Sequence, residues 1–373
     1  MSKTKVITSV INNYENDQRV QKVCQSLQKF GYDVEVIATN LRGEPELHFP
    51  YLIHILKLSS QEGMGMYMNF NWQLYQQLMK ITTKDDILLA NDLDALLPNY
   101  LVSKKKKCKL VFDSHEIFSE MPSLTERKIK KWLWKKLENR LMPKLKHIYT
   151  VSDSYAKWFE KEYNVKAEVI RNVPITQTFN DDKLIVQLPK RKPNEKIIIY
   201  QGAVNMSRGI DKMIQAMKYV EDAQLWIIGN GPKKQDYENL TKELELENKV
   251  KFLGNQKPTQ LRLITPLADL GLSLEEDGGI SYRYALPNKI FDYSHAGIPI
   301  LGTFLPEIKN TIEKYGLGKT IENHDVLHIS NKMTELLSEG KEVYAENLKK
   351  AAQIFNWDNE EKKLIEIFDK VKN

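Results

Sequence analysis

The spacing of apolar residues in this chain switches repeatedly between two periods, and it does so in two separate blocks. Residues 6–11 form a short apolar run of strand type. Val20, Cys24, Leu27 and Phe30 then recur at helical spacing, and Gly31 ends that helix. Strand patterns return at 34–38, 53–58, 86–90, 109–112 and 148–151, with helical stretches between most of them. From Pro174 to Asn194 the alternation lapses into a proline-bearing stretch with few periodic apolar residues. It then restarts, with strands predicted at 197–200, 223–228, 250–253, 270–274 and 298–301 and a helix at 212–220. Helices at 325–338, 341–355 and 359–371 close the chain.

Strands alternating with helices predict parallel sheets covered on both faces, an α/β class. Two such blocks in 373 residues predict two Rossmann-like domains, since one core rarely grows to that length. The expected division is a domain at 1–175, a linker at 176–195, a second domain at 196–350, and a terminal helix at 351–373 crossing back toward the first.

Composition narrows the class of function. The formal charge of +6 is modest and does not direct the chain to nucleic acid. Cys24 and Cys108 form neither a disulfide framework nor a metal-ligand pattern, which fits a reducing cytoplasm, and Cys24 reads as a core thiol. The opening residues run into the first strand without a signal-peptide pattern, and no segment reaches 18 apolar residues. The expected location is the cytoplasm, peripheral on the inner face of the cell membrane.

An open α/β sheet takes ligands beyond the carboxyl ends of its strands, so chemistry is sought in the loops that follow them. After the first strand come Asn13 and Arg19, candidates for an acceptor side, with Asp17 or Asn16 as a helix cap. This loop lacks the glycines that let a backbone approach a dinucleotide pyrophosphate, which argues against an NAD or FAD enzyme. Asp92 follows the fourth strand and joins the acceptor side. His115 and Glu116 follow the fifth. A histidine among carboxylates is an acid–base candidate or a ligand for sugar hydroxyls; a cap by Asp113 or Ser114 is the purely structural alternative. No second His or Cys stands at zinc-ligand spacing. Asp92 and Asp94 make an Asp-x-Asp pair, a metal pattern of another transferase architecture, but in the half opposite the phosphate candidates.

In the second block, Gly202 and Arg208 lie between a strand and a helix, where a helix start and a guanidinium can hold a diphosphate. Gly229 opens a second such turn, which Pro232 at a helix start partly explains. Glu275, Gly278 and Gly279 form an acidic, glycine-rich loop, and Asn288, Lys289 and Asp292 begin the next helix. A carboxylate one turn into that helix can accept hydrogen bonds from a ribose diol.

The run from Ala285 to Pro299 resembles the donor-site segment of the family-4 retaining glycosyltransferases. The segments Gly202 to Gly209 and Leu225 to Pro232 match that family's second domain in order and spacing, and Val151-Ser152 and Asn172-Val173-Pro174 resemble its domain junction. The resemblance implies a GT-B fold, two Rossmann-like domains facing a cleft. It also implies metal-independent transfer of a sugar, with retention, from a nucleotide diphosphate sugar to a saccharide or lipid-linked acceptor. It places Asp292 where the family has its ribose-binding Glu, and Arg208 where it has a phosphate-binding Lys. Ala203 stands where the family often has Arg, which assigns phosphate charge to Lys289 or Arg283. Tyr284 replaces the first Glu of the acidic pair, with Glu275 or Glu276 as substitutes. A nucleotide-sugar epimerase on the same fold and a catalytically silent nucleotide-binding subunit are the rival readings.

Residues 127–146 carry nine Lys and Arg, with Ile129, Leu133, Leu137 and Leu141 repeating every four residues and Trp132 and Trp134 beside them. A basic amphipathic helix with aromatic edges is expected to meet an anionic membrane surface through Lys130, Lys131 and Lys135. A packed helix with a solvated basic face is the alternative. The aromatics do not form a base-stacking platform, so no nucleic acid is expected.

Overall fold

A computed structural model describes residues 3–39, 49–60, 62–125, 127–176 and 183–372. Internal packing divides the chain into two units, one of residues 1–172 with 358–373 and one of 173–357.

The first unit is built on strands β1 (Lys5–Ser9), β2 (Asp33–Thr39), β3 (Leu52–Leu56), β4 (Ile87–Asn91), β5 (Lys109–Ser114), β6 (His147–Thr150) and β7 (Glu168–Val169). They pair in parallel in the order β3-β2-β1-β4-β5-β6-β7. The central strands read as apolar runs because helices cover both faces of the sheet. One face packs Phe70, Leu74 and Leu78 of the helix Gly63–Ile81 against Ile7, Ile37 and Leu88. Asp17 caps the helix Gln18–Lys29, its carboxylate accepting from the Val20 N–H at 3.1 Å.

The last helix, Trp357–Lys372, is bound into this unit by polar contacts. Ser26 Oγ donates to Glu361 at 2.6 Å, Lys29 pairs with the same carboxylate at 2.6 Å, and Tyr32 donates to Asp369 at 2.7 Å.

The second unit carries β8 (Lys196–Gln201), β9 (Ala223–Ile228), β10 (Val250–Gly254), β11 (Leu270–Ser273), β12 (Ile300–Gly302) and β13 (Gly318–Thr320), parallel in the order β10-β9-β8-β11-β12-β13. The class is α/β with two Rossmann-like sheets. Each sheet has a switch point where chain order reverses, beside β1 and β4 in one and β8 and β11 in the other. Of the linker read at 176–195, residues 177–182 lie outside the described residues; the Gln260 side chain holds the Ile185 N–H at 2.9 Å and the Lys183 carbonyl at 3.0 Å.

The basic helix forms over Lys128–Leu141, but it is turned differently from the sequence expectation. The packed face holds Trp134, Glu138 and Leu141, and Glu138 accepts a 2.9 Å bond from Tyr163. Ile129, Trp132 and Leu133 face solvent at 77%, 58% and 41% exposure. Lys131 and Lys135 are also committed, to Glu120 at 2.6 Å and Glu162 at 2.8 Å. Among the described residues no helix is long and apolar enough to cross a membrane.

Candidate functional site

At the switch point of the second unit, β8 ends on Gln201 and is followed by Gly202, whose φ of 140° lies in the region that favours glycine. A Cβ on Gly202 would have no contact closer than 3.5 Å, and Lys289 Nζ would lie 3.7 Å from it. The position is uncrowded but not empty, a Cβ there being in ordinary contact with Tyr200 and Lys289, so the glycine is set by its backbone conformation, beside a buried cation. Gly229 has another cause: a Cβ there would fall 1.8 Å from the Gly202 carbonyl oxygen, so it is needed for two loops to pack. Gly209 likewise clears the Leu274 carbonyl, 2.2 Å from where a Cβ would be.

The helix Asn288–Ala296 starts after Pro287 and delivers Lys289 and Asp292 to this edge. It is seated through Tyr293, whose ring lies against Gly271 and whose hydroxyl reaches the Leu272 carbonyl at 3.2 Å. Lys289 Nζ is 2.6 Å from Glu275 Oε1 and 4.1 Å from the centre of the Tyr200 ring. Glu275 is 1% exposed, accepts a 2.7 Å bond from Ser273 Oγ, and has Arg208 Nη1 at 3.9 Å. Burial pushes its carboxyl up, but Lys289 and Arg208 outweigh burial and hold it below the usual carboxylate range. Glu275 is thus an internal counter-ion between two cations rather than an exposed sugar ligand. The Arg208 guanidinium lies 4.7 Å from the centre of the Tyr282 ring and reaches its hydroxyl at 3.2 Å. Asp292 is half-buried and accepts from Gln201 Nε2 at 2.9 Å. Gly279, with φ 134°, precedes the short helix Ile280–Arg283, and Arg283 pairs with Asp277 at 2.8 Å, beside Gly278.

At the switch point of the first unit, Arg19 is 3% exposed and forks onto Asp113 through bonds of 3.0 and 2.8 Å. Its third nitrogen reaches the Ile170 carbonyl at 2.9 Å. Arg19 is therefore an internal partner of Asp113, whereas the sequence placed it on an acceptor-facing surface. His115 stands between two carboxylates. Its Nδ1 is 3.1 Å from Asp92, its backbone N–H donates to the same group at 2.8 Å, and its Nε2 is 3.0 Å from Asp113, off the line of a good hydrogen bond. Asp92 adopts φ 61° to make this grip. Burial pushes the Asp113 carboxyl up, yet Arg19 and His115 together hold it down at about 2. Burial likewise lowers the basicity of His115, and Asp113 and Asp92 overcome it, raising the imidazole well above its ordinary value. The two carboxylates thus favour the protonated form of His115, one half of the acid–base candidate read from the sequence.

Glu116 is exposed beside it. Asn13 Oδ1 is shielded from solvent without a hydrogen-bond partner among the described residues. Asp94, the second carboxylate of the Asp-x-Asp pair, is 5% exposed, and burial and the Asp92 charge push its carboxyl up. Among the described residues no group of three or more His, Cys, Asp or Glu is placed to hold a metal ion.

Sequence reasoning missed Gln201, Tyr200, Ser273 and Tyr293. Gln201 ends a strand and carries no motif. Tyr200 lies in a strand pattern and Tyr293 within the run from Ala285 to Pro299, and neither was singled out.

Residues 181–355 match the model of the glycosyl transferases group 1, and residues 18–174 match that of glycosyltransferase family 4. A lipopolysaccharide core biosynthesis glycosyltransferase, LpsD of Rhizobium meliloti (strain 1021), is 37% identical over 60 residues, 16% of this chain and 18% of that protein, so the chain spans less than a fifth of that curated relative. Among solved structures, a sucrose-phosphate synthase from Thermosynechococcus elongatus superposes with a TM-score of 0.80 at 14% identity, covering 99% of each chain. HepE of Anabaena in complex with UDP-glucose superposes at 0.74 and 15% identity, covering 98% of this chain and 99% of that one. These likenesses show a GT-B fold, and with both family models matching in order along the chain, it belongs to the family-4 glycosyltransferases.

Proposed function

We propose that this protein moves a sugar from a nucleoside-diphosphate sugar to a saccharide or lipid-linked acceptor, with retention and without a metal, in cell-surface polysaccharide or glycolipid synthesis. The observation that carries this reading is the group of Arg208, Lys289 and Asp292 beside the Gly202 turn, at the carboxyl edge of a doubly wound sheet. The leaving diphosphate gains negative charge as the bond to the sugar breaks, and fixed cations at that place stabilise the transition state. Asp292 takes the ribose hydroxyls, while His115 and Glu116 take the sugar or acceptor. The UDP-glucose complex of HepE and the lipopolysaccharide role in the name of LpsD support the donor class and the pathway class.

Three variants test the assignment. Losing one charge-assisted hydrogen bond weakens binding by about ten- to a hundredfold. Asp292→Ala is expected to weaken nucleoside and nucleoside diphosphate alike, since both carry ribose. Arg208→Ala is expected to weaken only the diphosphate. His115→Ala is expected to spare nucleotide affinity and lower turnover. Titration calorimetry reads the affinities, and sugar transfer is assayed in EDTA. Normal diphosphate binding by Arg208→Ala would place the phosphate elsewhere; turnover to an epimer without acceptor, or a strict need for added metal, would overturn the reaction class.

The acceptor side of the proposal includes an anionic membrane, with the protein peripheral on its cytoplasmic face. Support comes from the outward face of Lys128–Leu141, where Ile129, Trp132 and Leu133 stand among the exposed Lys128, Lys136 and Arg140. Apolar and aromatic side chains ringed by cations suit an interface with anionic headgroups. Ile129→Ser, Trp132→Ser and Leu133→Ser combined are expected to cut co-sedimentation with phosphatidylglycerol vesicles at least about tenfold, because each buried apolar side chain contributes roughly 1.5–3 kcal/mol. Nucleotide affinity is expected to stay level. Equal binding to neutral and anionic vesicles at low salt would sink the electrostatic part.

A further inference from the structure

Three elements of the second unit converge on one buried amide. Gln201 is the last residue of β8 and is 5% exposed. Its Nε2 donates to Asp292 Oδ2 at 2.9 Å, from the strand to the helix Asn288–Ala296. Its Oε1 accepts from Thr265 Oγ1 at 2.8 Å, in the turn Thr265–Leu267 that follows the helix Pro258–Ile264. Its backbone N–H donates to the Tyr293 hydroxyl at 3.2 Å, one residue beyond Asp292. The carboxylate decides which way the amide faces, since only the NH2 end can approach an anion. The strand, the turn and the helix are thereby fixed to one carboxyl plane.

We propose that Gln201 is a positioning residue that sets the Asp292 carboxylate in the orientation in which it meets the vicinal hydroxyls of a ribose, and so carries part of the preference for ribonucleotides over 2′-deoxyribonucleotides. This rests on the donor-site reading above. An Asp is one methylene shorter than a Glu and holds its carboxyl closer to its own helix. The long Gln201 side chain reaches across from the strand and holds it there.

The test uses the full chain and three diphosphates, UDP, GDP and ADP, each against its 2′-deoxy counterpart. Gln201→Leu removes both side-chain bonds. It leaves Thr265 satisfied, because the same hydroxyl has the Leu261 carbonyl at 2.7 Å, so the fold is expected to hold. The Kd of the preferred ribonucleotide is expected to rise about tenfold and that of its deoxy form less than about twofold, as loss of a charge-assisted bond seen only by the ribose requires. The double variant Gln201→Leu/Asp292→Ala is expected to bind no worse than Asp292→Ala alone, because the two residues act through one contact. Equal losses for ribo and deoxy forms, or additive losses in the double variant, would overturn the inference and leave the donor site standing. Binding of none of the three diphosphates by the wild type would overturn the donor-site reading and this inference with it. If leucine lowers the melting temperature, Gln201→Met, unbranched and of similar length, takes its place.

Discussion

Asp113→Ala is expected to lower the unfolding free energy of the first unit by about 3–5 kcal/mol, the usual cost of removing one partner of a buried ion pair. Asp113 is fully buried and Arg19 is 3% exposed, so deletion leaves a guanidinium without its counter-ion and His115 with one carboxylate in place of two. Urea unfolding followed by tryptophan fluorescence measures it, and a loss under about 1 kcal/mol would contradict the pairing. The same cluster fixes the pH response. Asp113 titrates at about 2 in the folded state against an ordinary 3.8, so its contribution is complete above 3.8 and disappears as pH falls through about 2. His115 is raised, so its contribution is complete below its ordinary 6.5 and is lost as pH rises through the raised value. In Asp113→Ala, the NMR titration of His115 is expected to move down toward the ordinary imidazole range.

Lys289→Met is expected to reduce nucleoside-diphosphate affinity by at least about a hundredfold, and to destabilise the second unit by about 3 kcal/mol. The two effects have different origins. Stability falls because Glu275, 1% exposed, is left with Ser273 and a more distant Arg208. Affinity falls because a cation beside the Gly202 turn is gone. The double variant Lys289→Met/Glu275→Gln separates them. It removes the uncompensated charge and is expected to recover most of the stability but little of the affinity. Recovery of both would mean that Lys289 serves Glu275 alone and never meets the diphosphate.

Much of the fold was legible because strands buried on both faces leave continuous apolar runs, as at Leu88–Ala90 and Leu225–Ile228. β7 and β13 left no such trace. They are edge strands of two and three residues, Glu168–Val169 and Gly318–Thr320, half-buried or exposed and without an apolar run. The donor-site candidates could be named because each stands in a loop or helix start that follows a strand, although Arg208 and Lys289 are far apart in sequence. The ion pair of Arg19 and Asp113 was not, since its partners are 94 residues apart and neither stands in a motif that names the other. The basic helix shows a different limit. A leucine-like residue every fourth position marks a stripe but not what covers it, and here Tyr163 hydrogen-bonds Glu138, so the packed face takes in a charged position.

The contacts of the helix Trp357–Lys372 bear on the order in which the protein is made. Glu361 and Asp369 satisfy groups on Ser26, Lys29 and Tyr32, so the first unit joins residues 358–373 to residues 1–172. Domains generally fold as they leave the ribosome, first-made first. Here the earlier unit has a bare flank until residues 358–372 have been made, while residues 173–357 emerge as one uninterrupted stretch. The unit that is begun first is therefore completed only after the second has been made, and a chain cut before residue 358 carries its damage in residues 1–172.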